Sequence, residues 1–144
     1  MEKRKTKKYI NYSLEAIDLI SNSINVPQNF DASDEHGLTF GLELKSTIKI
    51  DEELLIIEIN YEFLKDAITV FNIVVQNIFK IDRIKNYVKN EQIEQKEFYE
   101  FLVELSINHT RGVQSQLLKN TPLARFYIPF IDVLDILGSE VRST

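Results

Sequence analysis

The sequence predicts an α+β domain in which strands come first and one long helix follows. Three observations carry this. Apolar and polar residues alternate with period two through two consecutive segments between Leu38 and Phe63, and a third segment, Ile68 to Ile81, is apolar on both faces. Short polar runs separate those segments. From about Gln92 the apolar spacing changes to 3.6 residues, the period of a helix with one buried stripe.

The opening MEKRKTKK reads as a basic disordered tail over residues 1–8, and residues 9–144 read as a single domain. Ile10 to Ile20 is open to two readings. Ile10, Tyr12 and Leu14 alternate, the phase slips at Ala16 and Ile17, and Leu19 resumes it, as in a bulged strand. Ile10, Leu14, Ile17 and Ser21 fit a helical stripe equally well. Asn22 to Gly37 is rich in turn-forming residues and predicts a long loop, with Val26 and Phe30 as apolar islands.

Leu38 to Ile50 is a strand with Leu38, Phe40, Leu42 and Leu44 on one face and Thr39, Gly41, Glu43 and Lys45 on the other. After the turn Asp51-Glu52-Glu53, Leu55, Ile57, Ile59, Tyr61 and Phe63 alternate with polar residues that include Glu58 and Glu62. Ile68 to Ile81 is apolar on both faces, as expected of a central or doubly covered strand. Tight turns between the three imply an antiparallel meander.

On the helix, Phe98, Phe101, Leu102, Leu105, His109, Val113 and Leu117 form one stripe, running to about Lys119. Tyr99, Val103 and Ile107 widen it. A rod so apolar needs cover on two sides, and a single small sheet supplies one; a second subunit is expected on the other. Gly112 within a helix costs about 1 kcal/mol relative to alanine, which predicts close approach of another backbone. Thr121-Pro122 stops the helix. Pro129 disfavours a helical Ile128, and a short helix is expected to start at Ile131 or Asp132 and end at Gly138.

Composition narrows the function classes. The 17 basic and 22 acidic side chains give a net charge of −5, but five of the basic residues and one acidic residue lie in the first eight positions. The rest is markedly acidic, which disfavours nucleic acid and suits either a basic partner or plain solubility. No cysteine is present, so no disulfide or thiolate metal site is expected. No segment offers a signal-peptide core or the roughly 18 apolar residues of a membrane span, and a cytoplasmic location without membrane insertion is expected.

Catalytic and cofactor motifs are missing. Four glycines form no dinucleotide fingerprint or phosphate loop, and the serines lack a nucleophile elbow. His36 stands beside Asp34 and Glu35, adjacent positions that do not converge on a metal. His109 lies on the apolar stripe, where a histidine serves packing. Neither an enzyme nor a cofactor is expected. Phe30, Phe126, Tyr127 and Phe130 lie in segments without regular periodicity. Such rings either plug the end of a core or line a groove for extended peptide beside a sheet edge.

The order of these elements resembles SecB, the bacterial export chaperone, and its SecB-like relatives. The resemblance spans Tyr9 to Leu137 and rests on N-I-F-K-I (Asn77 to Ile81), the helical Arg111-Gly112, the T-P-L stop and P-F-I-D-V-L (Pro129 to Leu134). It implies a four-stranded antiparallel sheet packed against the long helix plus a short C-terminal helix, with the first segment as a strand and Asn22 to Gly37 as a crossover. It implies a holdase that keeps unfolded client polypeptide from burial or aggregation, without ATP or metal, assembled as a homotetramer, a dimer of dimers.

Under this resemblance the client groove holds Val26, Phe30, Phe40, Leu42, Leu44, Phe126, Tyr127 and Phe130. The interface between copies holds Val103, Ile107, His109 and Gly112, and a face that docks SecA holds Glu43, Glu58 and Glu62. Two features depart from the export chaperone: the start is basic, and no long acidic tail follows Gly138. Relatives dedicated to the antitoxin of a toxin–antitoxin pair are the alternative within the resemblance. A non-catalytic adaptor for one folded partner is the alternative outside it.

Overall fold

The computed structural model describes residues 9–31, 34, 36–124 and 126, together with the backbone of Val141–Ser143. Four long strands, β1 (Tyr12–Ile24), β2 (Leu38–Lys49), β3 (Leu54–Lys65) and β4 (Ile68–Ile81), form an antiparallel sheet. A short 3-10 turn (Ile84–Tyr87) and a two-residue hairpin, β5 (Val88–Lys89) and β6 (Gln92–Ile93), lead into α1 (Lys96–Leu118). A last strand, β7 (Val141–Ser143), lies parallel to β2, giving the order β1-β4-β3-β2-β7. The expected C-terminal helix falls outside the described residues, as do the basic tail, Tyr127 and Phe130.

The meander follows from local chemistry. Asp66 and Ala67 both hold positive φ, 52° and 64°, the conformation of a two-residue turn whose twist matches that of the flanking strands. β4 lies between β1 and β3, the central place expected of it; Ile73, Val75, Asn77 and Phe79 on one face are buried, and Asn72, Val74, Gln76 and Ile78 on the other are half-buried. The first segment is a strand, and its phase slips are two irregularities, between Leu14 and Ala16 and between Leu19 and Ser21. They place Tyr12, Leu14, Ile17 and Leu19 opposite Ile81, Phe79, Asn77 and Val75. Residues directly opposite share a face, so these four point to the side that the helix covers.

Because β1 and β2 sit far apart in the sheet, the chain between them crosses the ends of β4 and β3. Backbone bonds pin the crossing: Asn25 N–H donates to Val70 O at 2.9 Å, and Asp66 N–H donates to Gly37 O at 2.9 Å. The Lys65 ammonium binds the carbonyl of His36 and the Asp34 carboxylate. Gly37 holds φ at 73°, and a Cβ there would collide with the Asp66 carboxylate; both facts require glycine.

The core lies between sheet and helix. Leu55, Ile57, Ile59, Ile73, Val75 and Phe79 are fully buried there. The helix presents Tyr99, Leu102, Val103, Ser106, Ile107, Thr110, Gln114 and Leu118 to this core. That face is rotated from the predicted stripe, because three of its members are polar. Two of them cost little to bury. Ser106 Oγ donates to Leu102 O and Thr110 Oγ1 donates to Ser106 O, each at 2.8 Å, so the helix itself satisfies their hydroxyls. Phe101, which the periodicity assigned to the stripe, is 46% exposed instead.

The helix ends at Leu118. Asn120 takes positive φ, 69°, and Thr121 Oγ1 donates to Leu118 O at 2.8 Å while accepting from Leu123 N–H at 3.1 Å. The chain turns there and comes back over the sheet.

Candidate functional site

Two apolar surfaces continue the core outward, at opposite sides of the helix. The first gathers at the crossover end. Phe126, just after the helix, stacks obliquely on Phe63 at 4.9 Å and meets Phe30 of the crossover edge-on at 5.9 Å. A second row runs along the sheet: Phe40 lies 6.4 Å from Tyr61, and Tyr61 lies 6.4 Å from Phe71. Phe40 ends that row at the rim, 51% exposed. Aromatic pairs at such spacings hold one another in place at about 0.5–1.5 kcal/mol each beyond their burial.

Polar groups fix this end. Gln114 Nε2 donates to Phe126 O at 3.0 Å, and Phe126 N–H donates to Leu123 O at 3.0 Å. Tyr61 Oη and Gln114 Oε1 are buried with no hydrogen-bond partner among the described residues. Burial pushes the Tyr61 phenol up to about 12, so the ring stays neutral at any physiological pH.

Of the residues expected in a groove, Phe30, Phe126, Val26 and Leu42 are half-buried against the core and Phe40 stands at the surface. Leu44 is a correction. It is 1% exposed, because on β2 it lies directly opposite Ile59, well inside the sheet, and it is core.

The second surface lies along β1. Tyr12, Leu14, Ile17 and Leu19 are 39–42% exposed on the helix side of the sheet. Tyr12 touches Phe98 at 5.5 Å and Phe101 at 6.2 Å, so strand and helix form one continuous apolar strip. Gly112 lies on the same outward side of the helix as Phe101 and is exposed, with nothing within 4 Å of the place a Cβ would occupy. The close approach expected of Gly112 is not made within one copy.

Val103 and Ile107, expected between copies, are 0% and 4% exposed. They are corrections too, since they already pack on the sheet within a single copy. His109 is half-buried, and its Nδ1 pairs with Asn77 Oδ1 at 2.8 Å. Desolvation lowers its pKa, favouring the neutral ring. The sequence reading missed β1 as the main source of exposed apolar area. Its alternation was visible, but the two irregularities hid which residues share a face.

On the opposite face of the sheet, Glu43, Glu58 and Glu62 come together across β2 and β3, as the pairing of Glu43 with Asn60 between the two other carboxylates requires. Gln76 Nε2 donates to Glu58 Oε1 at 3.1 Å, Asn72 Nδ2 donates to Asn60 Oδ1 at 2.9 Å, and Lys45 stands opposite Glu58. Among the described residues no three histidine, cysteine or carboxylate side chains are placed to hold a metal ion. No helix of the described residues is long and apolar enough to cross a membrane.

No family model matches the chain, and no curated protein resembles it in sequence. Its fold is similar to a solved SecB-like chaperone of Mycobacterium tuberculosis, in complex with a ChAD peptide from an antitoxin. The two share 12% identity at a TM-score of 0.56 over 84% of this chain and 90% of that one. At this identity the likeness is one of fold.

Proposed function

We propose that this protein is a cytoplasmic, non-enzymatic chaperone that holds unfolded polypeptide at the crossover end of the sheet. The observation that carries the reading is the double row of rings reaching from the buried Phe71 and Phe63 out to the half-exposed Phe40. An apolar surface continuous with a core takes extended apolar segments without needing a fixed sequence. The fold shared with a chaperone solved around an antitoxin peptide supports this choice, and makes an unfolded antitoxin segment a candidate client. Phe30, Phe40, Leu42, Phe126 and Val26 are the proposed contact residues, with Tyr127 and Phe130 extending them.

Copies of the chain pair, in this reading, through the strip of Tyr12, Leu14, Ile17, Leu19 and Phe101, with Gly112 allowing helices to approach closely. Pairing in twos through one such strip, and again through the helices, builds the tetramer. Glu43, Glu58 and Glu62 are the proposed contact for a motor such as SecA.

Suppression of aggregation tests the function. The wild-type chain should keep several unrelated unfolded proteins in solution at near-stoichiometric ratios. A chain that ignores all of them and binds a single native partner is an adaptor instead, and the holdase reading is then wrong.

A further inference from the structure

The apolar strip along β1 and the outward side of α1 holds one imidazole near its middle. Asn77 on β4 is 0% exposed and lies directly opposite Ile17, a member of the strip. His109 reaches it from the helix, half-buried, and pairs its Nδ1 with Asn77 Oδ1 at 2.8 Å. Asn77 Nδ2 is buried with no hydrogen-bond partner among the described residues. The amide thus gives the ring one bond, and the open side of the ring faces the solvent over the strip.

Among the described residues no carboxylate stands ready to balance a proton there. The side chains that β4, β1 and β3 turn toward the helix at this level are Val75, Phe79, Leu14, Ile17, Leu19 and Ile57, all apolar. Asp18 and Glu58 lie on the opposite face, level with Gln76. Glu15 accepts from Ser13 Oγ at 3.3 Å, and Ser13 lies opposite Lys80. On α1 the nearest charges, Glu104 and Arg111, stand about 140° and 160° round the helix from His109, and Arg111 donates to Asn108 Oδ1 at 2.9 Å. Tyr12, the other titratable side chain of the strip, is at its end, opposite Ile81.

The strip is also shaped to meet a copy of itself. Phe101 projects from it, 46% exposed, while Gly112 leaves a hollow, with nothing within 4 Å of the place a Cβ would occupy. The two stand about three turns apart on the same side of the helix. A two-fold axis midway between them sets each Phe101 over Gly112 of the other copy, so that one contact is made twice. His109 lies about 4 Å along the helix from that midpoint and so faces the second copy close to the axis.

We propose that two copies pair across this strip with Phe101 over Gly112, and that protonation of His109 drives them apart. This rests on the reading that the strip pairs copies, and adds control by pH to it. In a single copy, water over the open side of the ring eases its charge. Pairing replaces that water with apolar side chains and brings the two rings toward each other, so each charge is buried without a partner and beside its like. Burial already favours the neutral ring within one copy, and pairing acts in the same direction. Separated copies therefore bind protons more readily than paired ones. Pairing is fully present above about pH 6.5 and weakens as the pH falls. With two rings per pair, the loss reaches about a hundredfold per pH unit at its steepest.

Sedimentation equilibrium of full-length chains, between about pH 7.5 and about pH 5.5, tests this. Wild type, His109→Gln and Leu14→Asp are compared, with circular dichroism recorded at each pH. The pairing constant of wild type should fall by about tenfold or more across the range, with the helix signal unchanged. His109→Gln, which keeps a neutral hydrogen-bonding side chain beside Asn77, should change by less than about threefold. Leu14→Asp should be the smaller species at every pH.

A wild-type mass that holds across the range, with Leu14→Asp smaller, overturns the switch and leaves the strip as the interface. An equal decline in wild type and His109→Gln, or a decline that follows loss of the helix signal, overturns the role of His109. Leu14→Asp with the mass of wild type at about pH 7.5 overturns the strip as an interface, and this proposal with it.

Discussion

The two edges of the sheet, β1 and β2, are built from similar alternating strands and end in different situations. β1 exposes Tyr12, Leu14, Ile17 and Leu19 along thirteen residues and, among the described residues, pairs with β4 alone. β2 buries Leu44, Ser46 and Ile48, with Ser46 bonded to Tyr99 in the first turn of the helix, and is open at Phe40. The cause is where the helix sits. Tyr99 reaches the β2 side and shares a short hydrogen bond with Ser46, while the helix meets β1 through Phe98 and Phe101 against Tyr12 and leaves the helix-side face of β1 about two-fifths exposed. One sheet face thus makes three environments: a sealed middle, a broad apolar strip and a narrow aromatic rim. The broad strip suits a fixed, shape-matched neighbour, and the narrow aromatic rim suits a passing extended chain.

Substitutions can separate the three. The largest effect is expected in the sealed middle. Ile107→Ala should cost about 2–5 kcal/mol of folding stability in denaturant titration, as for other buried large-to-small changes. If Ile107 instead served an interface between copies, the same change would dissociate the assembly with little loss of protomer stability.

Next comes the broad strip. Leu14→Asp places a charge in the middle of it and should lower the mass seen by light scattering, with probe binding per chain retained. Gly112→Leu should act in the same direction, and an unchanged mass in both variants removes the strip from assembly.

At the rim, Phe40→Ser should weaken binding of an unfolded probe by about tenfold, near the 1.4 kcal/mol expected for losing part of one exposed ring's contact. The mass should stay that of wild type. Equal affinity would show that the rim takes no part in holding clients.

The smallest effect is expected from His109. Its folded-state pKa lies below the ordinary 6.5 because burial disfavours the charged ring. The unfolded chain therefore binds the proton more readily, and stability declines as pH falls below about 6.5. Above that value the contribution is complete. His109→Gln should flatten this part of the stability profile measured from pH 7.5 to 5.5, and an unaltered slope would assign the pH dependence to other groups.

How far the sequence could be read differs by element. The meander from Leu38 to Ile81 was legible because the first two strands alternate, polar turns separate the strands, and the third is a long apolar run. The long crossover was legible from its turn residues, although β1 continues to Ile24, three residues into the predicted loop. The helix was legible as an element while its orientation was not. Ser106 and Thr110 look solvent-facing to any hydropathy count, yet each hydroxyl returns its hydrogen bond to the carbonyl four residues earlier and the side chain is buried. That hidden satisfaction turned the predicted stripe, moved Val103 and Ile107 from a presumed interface into the core, and put Phe101 outside.

Of the candidate site, the aromatic residues could be named in advance because rings in irregular segments need a reason. Their division between rim and core could not. Leu44 and Phe40 share a face of β2 and have the same pattern around them, yet Leu44, opposite Ile59, is sealed and Phe40, opposite Phe63, is half exposed. β7 gave no warning, since three residues hold too little pattern to mark a strand.

Residue periodicity, turn chemistry and charge by themselves determined the class of this protein: alternating strands followed by an amphipathic helix, with no catalytic or metal-binding pattern. Those signals are local, and local spacing decides how a segment folds and which side of it is apolar. Which apolar sides are sealed and which stay open was decided only in three dimensions. That depends on where one helix lies across four strands, and the contacts that place it, Tyr99 with Ser46 and His109 with Asn77, join residues more than thirty positions apart.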